Sequence, residues 1–216
     1  MFNARIALLS SLLLMGLSAC HAPEHQAEYA QIAPEAASGL TTKPGWAVER
    51  FAVAAANPLA TEAGYQILKA GGSALDAAIA VQMVLTLVEP QSSGIGGGAY
   101  LLHWDGERVA AFDGRETAPA GVDENLFLNA DGAPMDFLQA VVGGRSVGVP
   151  GVLKMLEQAH QEYGKLPWKD LFQSAIALAE DGFEVSPRLH ALLARDPALR
   201  DNQQAAAFYY QEDGSP

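Results

Sequence analysis

The chain has 216 residues, 50% hydrophobic and 18% charged, a globular balance with enough length for one sizeable core. Its formal net charge of -12 repels phosphate backbones and anionic lipid heads, which argues against nucleic-acid binding. One cysteine, Cys20, excludes an internal disulfide framework and any cysteine-built metal cluster.

Residues 1–20 read MFNARIALLSSLLLMGLSAC. Arg5 supplies a positive start, and the apolar run behind it is too short for a membrane-crossing helix, which needs ~20 residues. The run reads as an export signal. Leu17-Ser18-Ala19-Cys20 places small residues before a cysteine and resembles the bacterial lipobox, in which the chain is cut before the cysteine and the thiol is lipidated. The competing readings are an ordinary signal peptide with an incidental cysteine, or a buried apolar helix. The expectation is an exported, periplasmic lipoprotein held to the outer or inner membrane through Cys20, where several acyl chains anchor firmly. Residues 1–19 are then the signal peptide and 20–45 a tether rich in Pro, Ala and polar residues, with the folded part starting at Trp46.

Val48 to Ala56 is short and apolar with no helical start signal, and is expected as a strand. Asn57-Pro58 offers an N-cap followed by proline in the first turn, and Leu59, Ala63 and Ile67 continue at helical spacing to Gly71-Gly72. Ser73 with Asp76 resembles a capping box opening a second helix, with Ala77, Ala78, Val81, Val84, Leu85 and Val88 as its apolar stripe. Glu89-Pro90 ends it, because proline disfavours helical backbone at the residue before it. Ala99–Trp104 and Arg108–Phe112 flank Asp105-Gly106, a hairpin signal. Three more helices are expected: one on Val152, Leu156, Ala159 and Tyr163 ended by Gly164, one on Leu171, Ala175 and Leu178 ended by Gly182, and one opened by Ser186-Pro187. Phe208-Tyr209-Tyr210 before Asp213-Gly214 is expected as a strand running into a turn, which suggests a truncated chain. The order of strands and helices indicates α/β or α+β layers.

Residues 89–98, EPQSSGIGGG, hold the densest glycine cluster. A phosphate loop fails on residues: there is no Gly-Lys-Ser/Thr, and the cluster follows a helix and precedes a strand. A tight connection packed under a sheet is the plainer reading. Ser92 and Ser93 lack a nucleophile elbow, Thr41-Thr42 sits in the tether, and His103, His160 and His190 show no paired ligand spacing, so no metal site is expected. Arg145 reads as a loop charge, with a second anion contact as the alternative. Arg115, on its residues alone, reads as a surface ion pair with Glu116 or Asp113.

Five ordered segments change that weighting. NPLATEAGYQILKAGGSALDAAIAVQMVLTLVEP, QSSGIGGGAYLLHWDG, DGRETAPAG, GGRSVGVPGVLKMLEQAHQEYGKLPW and LAEDGFEVS together resemble the γ-glutamyltransferase (glutathione hydrolase) family over about residues 46–190. The resemblance makes residues 46–216 the N-terminal portion of that family's large subunit. It implies an N-terminal nucleophile hydrolase, a four-layer αββα sandwich made as a precursor that cuts itself into large and small subunits. The small subunit's new N-terminal Thr is the nucleophile and its α-amine the base. Glutathione and related γ-glutamyl amides pass their glutamyl group to water or an amino acid, with no cofactor.

On this resemblance Arg115, in Arg115-Glu116-Thr117-Ala118-Pro119, corresponds to the arginine that holds the substrate α-carboxylate. A guanidinium fork suits a carboxylate and stays charged at working pH. The nucleophile falls outside these 216 residues, so the isolated polypeptide is expected to be inactive. Implied partners are the C-terminal small subunit of the same precursor, a small γ-glutamyl substrate and, through Cys20, a membrane. Two other readings stand beside this one: an acylase of the same fold acting on another amide, cephalosporin-acylase-like, and a non-catalytic truncated lipoprotein.

Overall fold

The computed structural model describes Gly45 and Ala47–Pro216. The signal-peptide reading, Cys20, Thr41, Thr42, Trp46 and nearly all of the tether lie outside the described residues.

Helix α1 (Pro58–Lys69) begins where Asn57, extended at φ -133°, accepts the Leu59 N–H on its side chain. Helix α2 (Ala74–Val88) opens on a complete capping box: Asp76 N–H donates to Ser73 Oγ at 3.1 Å and Ser73 N–H to Asp76 Oδ2 at 2.8 Å. Each such cap contributes about 1 kcal/mol by satisfying N–H groups that no helical carbonyl reaches.

The two helices approach closely at Gly64. A β-carbon there would meet Val81 Cγ2 at 2.6 Å and the Ala77 carbonyl at 3.3 Å, so glycine sets the spacing. Helix α2 is buried on two sides. Leu75, Ile79 and Met83 join Val152, Met155, Leu156 and Ala159 of the helix Val152–Tyr163 (α4), while Val84 and Val88 join Ala60 and Ala63 of α1. This double burial rotates its stripe from the expected one: Ala78 is exposed, and Val81 and Leu85 are only half-buried. Likewise α1 buries Ala60, Ala63 and Gly64 rather than Leu59.

Strands β1 (Tyr100–Trp104) and β2 (Val109–Asp113) form the hairpin expected around Asp105-Gly106, with Tyr100 opposite Asp113 and Trp104 opposite Val109. Asp105 carboxylate accepts the N–H groups of Glu107 and Arg108, both at 2.9 Å, and Gly106 takes φ +106°. Leu101 and Phe112 pack inward on the α2–α4 core, and His103 stacks near Tyr163 with ring centroids 4.2 Å apart. On the other face Tyr100, Leu102, Trp104 and Val109 are 60–76% exposed.

A short helix α3 (Phe137–Val141) and a 3-10 turn (Gly144–Ser146) precede α4 (Val152–Tyr163). A second 3-10 turn (Trp168–Phe172) leads into α5 (Gln173–Asp181), so Leu171 belongs to the turn and not to the helix. Then come α6 (Pro187–Arg195), α7 (Pro197–Asp201) and α8 (Gln203–Tyr209).

Two expectations are corrected. Residues 51–56 alternate between half-buried and exposed as a strand would, yet among the described residues no strand pairs with them, and a strand exists only through a partner's hydrogen bonds. Phe208-Tyr209 closes a helix instead of forming a strand: Asn202 caps it through the N–H groups of Gln204 and Ala205, and Ala205-Ala206-Ala207 favours helix over extended backbone.

Candidate functional site

Three segments cross beside the end of β2. The glycine-rich connection Gly94–Gly98 leaves α2, residues 114–117 leave β2, and residues 148–151 run into α4. Gly114 continues the hairpin ladder, donating to the Ala99 carbonyl at 2.9 Å and accepting from the Ala99 N–H at 3.3 Å. The Gly151 and Val152 N–H groups at the start of α4 both donate to the Gly97 carbonyl at 3.2 Å. Thr117 and Val149 exchange two backbone bonds, of 3.3 and 2.9 Å.

The crossing is feasible because side chains are missing where backbones meet. A β-carbon on Gly114 would lie 2.6 Å from Met155 Cβ, and one on Gly148 would lie 2.8 Å from Glu116 Cβ. Such approaches are available to glycine alone. The glycine-rich run is therefore a packing device, and its product is the placement of Arg115 and Glu116.

Asp113 Oδ1 accepts the Arg115 N–H at 2.9 Å, which fixes the Arg115 backbone just after β2. Arg115 Nη1 then donates to Glu116 Oε2 in an ion pair. The Arg115 side chain remains 59% exposed while that of Glu116 is 26% exposed. Both sequence-derived partners of Arg115 are thus present, Asp113 on its backbone and Glu116 on its guanidinium. The pairing does not consume the arginine, because a guanidinium offers five donors and only one goes to Glu116.

Arg115 faces an open cavity of about 480 Å³, which also receives Glu116, Thr117, Phe127, Arg145 and Ser146. That volume lies in the range of small-molecule sites. Arg145, given by sequence mainly as a loop charge, shares the cavity with Arg115; glycine on its N-terminal side was the only signal. Sequence reasoning missed the wall made by residues 118–135, whose turns hold no periodic apolar pattern.

The remaining polar candidates serve the fold. Ser93 Oγ accepts from Gln82 of α2 at 2.7 Å. His160 Nε2 lies 2.9 Å from the Leu166 carbonyl and 3.6 Å from Asp76, His103 packs on Tyr163, and His190 is exposed. Among the described residues no three His, Cys, Asp or Glu side chains gather as a metal site, and no helix is long and apolar enough to cross a membrane.

Comparisons with known proteins identify the family. The family model described as Gamma-glutamyltranspeptidase matches residues 60–216. The glutathione hydrolase proenzyme of Bacillus subtilis (strain 168) is 38% identical over 217 aligned residues, 97% of this chain and 35% of that protein. The chain therefore spans about a third of the length of that curated relative. Among solved structures, the γ-glutamyltranspeptidase of Helicobacter pylori superposes with a TM-score of 0.74 at 29% identity, covering 80% of this chain and 50% of that one. The cephalosporin acylase of Bacillus halodurans gives 0.54 at 29% identity, over 82% of this chain and 32% of that one. The mixed helix-and-sheet fold is that of the N-terminal nucleophile hydrolases. With the ordered motifs, the family match over residues 60–216 and the shared fold in agreement, the chain belongs to the γ-glutamyltranspeptidase family, as the N-terminal part of its large subunit.

Proposed function

We propose that this chain supplies the substrate-carboxylate anchor of a self-processing enzyme that transfers γ-glutamyl groups from glutathione and related amides to water or amino acids. The carrying observation is Arg115: fixed by Asp113 and Glu116, yet open to a cavity of ligand size. Its free N–H donors suit the α-carboxylate of a γ-glutamyl group, whose γ-carbonyl then points away from Arg115. A threonine hydroxyl from the small subunit adds to that carbonyl and expels the amine, leaving a glutamyl ester. Water or an amino-acid amine then attacks the ester and restores the hydroxyl. Arg115 holds charge that does not change during either step, so it contributes binding and alignment.

The uncovered hairpin face supports a partner of the same precursor. Tyr100, Leu102, Trp104 and Val109 present an apolar surface opposite the face already packed on α2 and α4. Covering it with a second sheet from the small subunit completes a four-layer arrangement. The LSAC sequence at Cys20 supports a reading in which the protein is exported, lipid-anchored and active in the periplasm at a membrane surface.

The test is kcat/KM on a γ-glutamyl anilide with the full-length protein, set against hydrolysis of a cephalosporin-type acyl amide. The structural likeness to a cephalosporin acylase makes that second substrate the relevant competitor. Turnover of the γ-glutamyl anilide, lowered about ten- to a hundredfold or more in Arg115→Ala, is the expected result. Turnover of the acyl amide alone overturns the reading.

A further inference from the structure

The cavity in front of Arg115 holds a second guanidinium. Arg145, from the 3-10 turn Gly144–Ser146, lines the same space of about 480 Å³. The two arginines differ in what already holds them. Arg115 is ion-paired with Glu116. Arg145 Nη1 donates to the Leu126 carbonyl at 2.9 Å and lies 3.3 Å from Met135 Sδ, both neutral groups. Among the described residues no carboxylate stands within ion-pair distance of Arg145.

The charged lining of the cavity is therefore Arg115 and Arg145 against Glu116, an excess of one positive charge in a chain of net charge -12. A concave patch of the opposite sign to its protein concentrates anions locally. The amino-acid end of a γ-glutamyl group is zwitterionic, and the Arg115–Glu116 pair already matches that charge pattern. One cation is left over.

We propose that Arg145 is a second carboxylate contact, so that the donors handled best carry a carboxylate beyond the γ-amide, as γ-glutamyl peptides do and simple γ-glutamyl amides do not. The inference rests on the reading of Arg115 as the α-carboxylate anchor. The bond from Nη1 to Leu126 supports the role by holding one end of the guanidinium, while Nε and Nη2 keep donors for a ligand.

Two anilides separate the possibilities: γ-glutamyl-4-nitroanilide, neutral on the ring, and its 3-carboxy derivative. Each is assayed with the full-length protein as wild type, Arg145→Ala, Arg145→Gln and Arg145→Lys. Gln keeps a donor for the Leu126 carbonyl and removes the charge; Lys keeps the charge and loses the fork. The expected result is a fall in kcat/KM of about ten- to a hundredfold on the carboxylated anilide for Ala and Gln, with the neutral anilide changed less than about twofold. Lys retains most of the discrimination. An equal fall on both substrates overturns the proposal and makes Arg145 a support for the 118–135 wall. No fall on either returns it to a solvated loop charge. Wild type that turns over both anilides with Arg145 indifferent refutes only this inference; wild type that turns over neither refutes the γ-glutamyl reading and this inference with it.

Discussion

The carboxylate of Glu116 occupies the place where a side chain on Gly98 would be. A β-carbon at residue 98 would come within 2.5 Å of Glu116 Oε2 and 2.6 Å of the Gly114 carbonyl. Gly97 and Gly148 border the same side chain, with Glu116 Oε1 3.5 Å from one hypothetical β-carbon and Glu116 Cβ 2.8 Å from the other. The glycines thus fix the position of Glu116, whose ion-pair partner is Arg115.

Gly98→Ala is the direct test of that chain of contacts. The added methyl must displace Glu116 or lift the glycine-rich connection from Gly114, and either change unpins Arg115. The full-length variant is expected to lose about tenfold or more in kcat/KM on a γ-glutamyl anilide, the cost of about 1.4 kcal/mol of lost alignment. Gly121→Ala is the control, since nothing lies within 4 Å of its added carbon. Equal activity of both variants would show that Glu116 does not position the arginine.

Arg115 itself is expected to carry the larger effect. Losing a charge-assisted contact costs about 1.5–3 kcal/mol, so Arg115→Ala is expected to lower kcat/KM about ten- to a hundredfold or more. Lys rescues in part, because a point charge cannot form two parallel bonds. Self-cleavage, followed on a gel, is expected to persist, since it involves no free substrate. Near-normal kcat/KM in a correctly cleaved Arg115→Ala protein would return the residue to a surface ion pair.

Asp76 offers a stability test remote from the cavity. Its fully buried carboxylate caps α2 and also accepts the N–H groups of Lys165 and Leu166, at 3.0 and 3.1 Å, tying the start of α2 to the loop after α4. Asp76→Ala removes the Ser73 N–H half of the capping box and strands those two donors, an expected loss of about 2–5 kcal/mol. Asp76→Asn, which keeps one accepting oxygen, is expected to fall between Ala and wild type. Chemical denaturation of the full-length protein measures both, and a loss below about 1 kcal/mol for Ala would mean that the loop is held by other contacts.

Lipidation is tested in cells. Growth with a clickable fatty acid is expected to label the wild-type protein at Cys20 and leave Cys20→Ala unlabelled. Equal labelling, or none in the wild type, removes the anchor from the account.

By itself the sequence determined the pieces whose signals are local. Asn57, Ser73 with Asp76, and Ser186 cap their helices as their side chains dictate, Asp105-Gly106 turns the hairpin, and Gly164 and Gly182 follow the last residues of α4 and α5. Each depends on neighbours within about four residues, which is the reach of a cap or turn. The family was also legible, because five motifs follow one another in order. Tertiary structure alone decided what depends on distant partners. Residues 51–56 have the alternation of a strand but no ladder among the described residues, and α2 is buried on two sides, which shifts its stripe away from the expected one. Glycines 98, 114, 148 and 151 meet around Arg115 and Glu116 because three segments cross there, and Arg145 joins the same cavity from 30 positions along the chain. Such convergence leaves no periodic trace in the sequence, since its cause is the exclusion of volume between backbones far apart in the chain.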